Sequence, residues 1–143
     1  MPPIKCKDND PSISDSENLL RRIPPALIED GRISINLFDD DYCSVEVASK
    51  STPEECLAHY SPEGIKPKHT QKKSQRFLKL GWKVASIKAQ VPREGGQTVY
   101  FEPLIIPIKN ETFINDAHAV ICGQKSKALL LKMTYSAQIV LAG

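Results

Sequence analysis

The residues predict an α+β domain, a small mixed or antiparallel sheet built from two hairpins with about three helices. Three observations carry that expectation. Two runs on either side of Asp39-Asp-Asp41 alternate between apolar and polar residues, as half-buried strands do. A complete helix-start signal stands at Thr52-Pro-Glu-Glu55. The stretch from His69 to Gly81 has the spacing of a helix. The 143 residues fit one domain, and 41% hydrophobic content is enough for a core.

Taken in order, Met1 to Ser16 is rich in Pro, Asp, Ser and Asn and reads as a mobile tail, leaving one domain over residues 17–143. Leu19-Leu-Arg-Arg-Ile-Pro-Pro25 fits a short strand, which is preferred, or a short helix capped by Ser16 and stopped by the Pro pair. Asp30-Gly31 is a turn signal, and beyond it Ile33, Ile35 and Leu37 alternate with Ser34, Asn36 and Phe38 as in a strand. Tyr42 to Ala48 alternates again, with Cys43, Val45 and Val47 on its apolar side. These two runs are expected to pair as the first hairpin.

Between residues 51 and 60 a helix is expected, with Thr52 as cap, Pro53 in the first turn and Glu55 closing a capping box. Ser61-Pro-Glu-Gly64 ends it. The next helix runs over about 70–80, with Thr70 as N-cap and Gly81 as terminator. Trp82 to Val91 then reads as a strand, Pro92 to Gln97 as a turn, and Thr98 to Ile108 as the other half of a second hairpin, broken or confined to an edge by Pro103 and Pro107. Ala117 to Cys122 is a short apolar strand. Gln124 to Gln138 is a C-terminal helix whose apolar residues fall on two faces, so it is buried on both or touches a partner. Ile139 to Leu141 is either its frayed end or a last strand.

Charge is unevenly distributed. Residues 1–63 hold six basic and thirteen acidic residues, residues 64–93 nine basic and none acidic, and the remainder four of each. Within the basic stretch, helical spacing puts Lys72, Arg76 and Lys79 on one face, with Lys73 beside them. Lys83 and Lys88 face opposite ways on the following strand, so only the helix offers a continuous cationic surface. No apolar run is long enough to span a bilayer, and the N-terminus lacks a secretory layout, so a cytoplasmic protein is expected. Cys6, Cys43, Cys56 and Cys122 are widely spaced, and the expectation is four reduced thiols.

Chemistry is sparsely signalled. Cys56 with His59, and His118 with Cys122, are the only close pairs of zinc type, short of the four ligands of a closed site. A Cys-His nucleophile from Cys56 and His59, or from Cys43 and His118, would need contact and an orienting group. His118 follows Asn115 and Asp116, which could orient its ring. Arg22, Ser34 or Ser44, and Glu102 stand in the order used by ADP-ribosyl transfer, but without a paired Glu-x-Glu. There is no Gly-x-Gly-x-x-Gly, phosphate loop or nucleophile elbow, and no cofactor is expected.

Leu20-Arg-Arg-Ile-Pro-Pro25, Asp30-Gly-Arg-Ile-Ser34, Phe38, Ser44-Val45 and His118-Ala-Val-Ile-Cys-Gly123 together resemble a group of short bacterial proteins that carries no assigned activity. The resemblance implies that Arg22, Ser34 and His118 form a shared constellation. The leading expectation for function is a non-enzymatic binding or accessory protein that engages a protein or nucleic-acid partner through Lys72, Lys73, Arg76 and Lys79. The alternative is a small enzyme centred on His118 with Arg22 and Ser34.

Overall fold

The computed structural model describes residues 4–143 and shows an α+β fold. Its sheet has six antiparallel strands: β1 (Asn18–Ile23), β4 (Tyr42–Val47), β5 (Lys83–Lys88), β6 (Thr98–Phe101), β9 (His118–Cys122) and β10 (Gln138–Leu141), in the order β10-β5-β1-β4-β9-β6. Two small hairpins stand apart from it, β2 (Ile28–Glu29) with β3 (Arg32–Ile33), and β7 (Leu104–Ile108) with β8 (Glu111–Asn115). The helices are α1 (Pro53–Ala58), α2 (Pro67–Lys79), α3 (Gln90–Glu94) and α4 (Lys127–Ser136).

Both faces of the sheet are covered. Leu19, Ile23, Cys43, Val45, Val47, Ala85, Ile87, Val99, Ala119 and Ile121 point to one face, packed by Leu37, Phe38, Ile13 and, from α4, Leu129, Leu130 and Met133. On the other face the apolar cover is divided. Leu20 and Val84 meet Cys56 and Leu57 of α1 with Phe77, Leu78 and Trp82, while Tyr100, Val120 and Cys122 meet Ile4. Glu46 of β4 lies between those two clusters. Buried contact with Leu129, Leu130 and Met133 shows which face of α4 is inward, and it leaves Tyr135 86% exposed.

Local chemistry explains the elements that were expected. Thr52 accepts from the Glu55 amide and the Glu55 carboxylate from the Thr52 amide, a capping box closed from both sides. Gly81 terminates α2 at φ +96°, a conformation that costs glycine little. That helix starts earlier than expected, with Pro67 in its first turn; Thr70 lies inside it and donates back to the Gly64 and Lys66 carbonyls.

Neither expected hairpin forms. Ile35–Phe38 is a 3-10 turn, started where the Ser34 hydroxyl accepts from the Asn36 amide. A strand would send Leu37 and Phe38 to opposite faces, whereas the turn buries both on one. The edges of β4 are taken instead by β1 and β9. Likewise β5 is flanked by β10 and β1, so Pro92 to Gln97 does not turn the chain back; α3 carries it across to β6 at the far edge. The run from Thr98 to Ile108 is interrupted after Phe101, and its second half pairs with β8.

The N-terminal segment departs from the mobile tail expected of it; Met1 to Pro3 lie outside the described residues. Asp10 and Asn9 bond the Val99 carbonyl and amide, covering the open edge of β6, and Ile13 is buried in the core. Arg93 pins the segment from across the sheet edge, donating to Asn9, the Ile13 and Asp10 carbonyls, and Asp15 at 2.9 Å. A disulfide joins Cys6 to Cys122, whose Cα atoms lie 5.7 Å apart across 116 residues of sequence. The four reduced thiols expected are therefore two, Cys43 and Cys56. Spacing along the chain could not show that Cys6 comes to lie against Cys122 of β9.

Closing so long a loop constrains the unfolded chain strongly. Reduction, or the C6S variant, is expected to lower the unfolding free energy by about 2–5 kcal/mol. Urea melts with and without dithiothreitol measure the difference. Coincident melts would show that the bond contributes nothing.

Candidate functional site

Two features on the second side of the sheet concentrate chemistry, the buried Glu46 carboxylate and the cationic helix α2, which packs on α1. Glu46 is only 2% exposed. It is held by groups from four segments. Ser51, in the loop before α1, donates at 2.6 Å; His59, the C-cap of α1, places Nδ1 2.9 and 3.0 Å from the two carboxylate oxygens. Asn115, at the end of β8, donates its amide at 3.1 Å, and Arg22 of β1 brings Nη1 to 3.6 Å. Burial alone pushes this carboxyl up; the hydrogen bond and charge of His59, then the bonds from Ser51 and Asn115, outweigh it and hold Glu46 below its ordinary value.

Arg22 is pinned as well. Its Nη1 donates to the Cys56 carbonyl at 2.7 Å, and its guanidinium lies 5.8 Å from the centre of the Tyr60 ring. Tyr60, Phe77 and Trp82 form an aromatic cluster at the junction of α1, α2 and β5, with centroids 4.6–5.6 Å apart. The cluster and the α1–α2 packing fix how α2 sits on the sheet.

On α2, Lys72, Arg76 and Lys79 are exposed along one face with Lys73 half-buried beside them. None of the four has a carboxylate within 4.0 Å among the described residues. Elsewhere in the basic stretch Lys66 pairs with Glu63 and Arg93 with Asp15.

The constellation Arg22, Ser34 and His118 is not brought together. Ser34 is buried beside the 3-10 turn it starts and lines a cleft of its own with Asn36 and Arg32. Arg22 lines a different cleft, at the end of β1. His118 is buried on β9, where its Nδ1 donates to the Glu102 carbonyl at 2.6 Å. Asn115 does not orient that ring; it bonds Glu46 and the Ala117 amide. Register does place His118 opposite Glu46, a pairing of strands distant in the chain that local spacing cannot signal.

The cysteine pairs carry no nucleophile. Cys43 and His118 lie on opposite faces of the sheet, since Cys43 pairs with Ile121 in the core and His118 with Glu46. Burial pushes the Cys56 thiol up to about 12, against the opposing charge of Arg22, so it stays protonated beside His59. Burial raises Cys43 too. Cys122 is committed to the disulfide, and no cluster of three or more His, Cys, Asp or Glu that could hold a metal ion occurs among the described residues. Glu102, third in the ADP-ribosyl order, is exposed beyond the end of β6.

Glu46 is the residue the sequence reading missed. The signal available was an acid in the middle of an alternating strand, followed at once by a capped helix obliged to fold back over the strand's second face.

Two outcomes follow from the network. Because the folded Glu46 carboxyl titrates below its ordinary value, its stabilising contribution is complete above that value and is lost as pH falls through the folded one. Unfolding free energy is therefore expected to decline from about pH 5 downward, and E46Q to flatten that decline; parallel urea-melt profiles for both proteins would remove Glu46 from the account. Above that range, H59A strands the buried carboxylate and is expected to cost about 3–5 kcal/mol in the same melts, where a loss of under about 1 kcal/mol would show the contact to be weak.

Comparison of the chain with protein-family models, with curated proteins and with solved structures finds no match.

Proposed function

We propose that the chain is a small binding protein that takes an acidic partner on the outward face of α2. One observation carries the reading: Lys72, Lys73, Arg76 and Lys79 stand on one helix with no carboxylate within 4.0 Å among the described residues. From Lys72 to Lys79 the helix rises about 10 Å, so these charges raise the potential over a compact patch. The N-terminal half holds thirteen acids and the sheet could have set them against this helix. It does not.

The helix also lacks an acidic residue in its first turn and a side-chain N-cap. Nothing within α2 offsets the partial positive charge of that end. A run of negative charge laid along α2, from nucleic-acid phosphates or an acidic protein segment, would relieve both the mutual repulsion of the cations and the uncompensated helix end. No helix among the described residues is long and apolar enough to cross a membrane.

Titrating labelled tRNA, duplex DNA and polyglutamate at about 50 and about 200 mM salt tests this. Binding to at least one is expected to weaken steeply with salt, with a slope of log K on log salt of about −3.6 on duplex DNA and about −2.8 on single strands if four phosphates are contacted, and the K72E/R76E double variant is expected to abolish it. The slope and the preferred polymer distinguish nucleic acid from acidic protein. Salt-independent binding, or a double variant that binds like the wild type, would remove the helix from the function.

A further inference from the structure

The basic helix makes no use of the gap between β1 and β4. Their ladder holds only two residue pairs, Leu19 with Val47 and Leu20 with Glu46, although β1 runs on to Ile23 and β4 starts at Tyr42. Continued in register, Arg22 would stand opposite Ser44 on the same face as Glu46. Instead the strands part. Arg21 closes the gap from the core side, with Nε on the Leu37 carbonyl at 3.1 Å and Nη1 on the Ser44 carbonyl at 2.8 Å. What remains is a cleft of about 320 Å3, at the small end of the range for ligand sites.

Its walls and its polar groups differ in kind. Leu20, Leu27 and Leu37 give aliphatic lining, and the Tyr60 and Trp82 rings, 4.6 Å apart at their centroids, give an aromatic side. Arg22 is held in place through Nη1 and the Tyr60 ring, while its Nε and Nη2 have no acceptor among the described residues. The Ser44 hydroxyl, also lining the cleft, has no partner there either. Glu46 neutralises part of Arg22 from 3.6 Å, yet its oxygens are turned to Ser51, His59 and Asn115, so it leaves the other edge of the guanidinium open.

A planar fork of N–H donors, held in position by its other contacts, matches the two oxygens of a carboxylate. An aromatic wall beside it suits a flat ring. We propose that the cleft binds a small aromatic carboxylate, with its carboxylate on Arg22 and Ser44 and its ring against Tyr60 and Trp82. Arginine does here what a lysine would not, because the site asks for a flat bidentate donor already oriented by its other contacts.

Trp82 is the only tryptophan in the chain and lines the cleft, so its fluorescence reports occupancy directly. Benzoate is the probe, with benzamide lacking the charge and acetate lacking the ring. Benzoate is expected to change the Trp82 signal saturably, with benzamide and acetate each weaker by about 10-fold or more. R22Q is expected to weaken benzoate about 10- to 100-fold. Because R22Q also touches the Glu46 network, Y60L provides a second variant, which removes the ring at a position 56% exposed but keeps an apolar side chain against Phe77 and Trp82, and is expected to weaken benzoate about 10-fold with its far-UV circular dichroism unchanged. K72E/R76E should leave benzoate binding as it is, which separates this site from the helix. The proposal is overturned by no saturable change up to about 10 mM benzoate, by benzamide or acetate binding as tightly, or by either cleft variant binding benzoate like the wild type.

Discussion

The Glu46 carboxylate is the constraint on which the second face depends. A charged carboxylate almost wholly removed from water is costly, by several kcal/mol even after relaxation, and it persists only where donors replace the lost hydration. Here the donors come from Ser51, His59, Asn115 and Arg22, which belong to the loop before α1, the end of α1, the end of β8 and β1. Satisfying one side chain thus fixes four segments at once. An apolar residue at position 46 would pack with many arrangements of α1; a carboxylate accepts only the one that delivers His59 and Ser51.

Much follows from the placement of α1. Its Cys56 carbonyl holds Arg22, and Tyr60 beyond its end joins Phe77 and Trp82 in the aromatic cluster under α2. The outward direction of the cationic face is set through this chain of contacts, and so is one wall of the cleft beside Arg22. On the far side of Glu46 the cover is thinner, three buried residues and Ile4, and there the Cys6–Cys122 disulfide and Arg93 hold the N-terminal segment against the β6 edge. Covalent and ionic ties replace apolar area where the chain has little to bury.

What was legible in the sequence was what adjacent residues decide among themselves. The capping box at Thr52 and Glu55, the glycine stop at Gly81, the alternation of Cys43, Val45 and Val47, and the short, mainly apolar strand ending at Cys122 all appear in the structure as expected. Each is settled within a turn or a strand. Strand pairing is not: β4 alternates identically whether its neighbour is the preceding run or β1, and the excluded hairpins were both choices of neighbour. The same holds for the site. Lys72, Arg76 and Lys79 share a face by helical geometry alone, whereas Glu46 becomes a centre only when β8, α1 and β1 converge on it, and Cys6 finds Cys122 only once the N-terminal segment lies beside the sheet.

The asymmetry of charge along the chain takes its meaning from where the acids of the N-terminal half go. Asp15 serves Arg93, Asp40 serves Arg21, Glu63 serves Lys66, and Glu46 is enclosed. Glu55 caps its own helix, and Glu17 accepts from the Ser49 amide. Each is tied to a nearby structural task, and each task is one that an uncharged or distant group would do less well. None of these acids reaches Lys72, Lys73, Arg76 or Lys79. Among the described residues no carboxylate pairs with those four cations, and the proposal of an acidic partner on α2 rests on that arrangement.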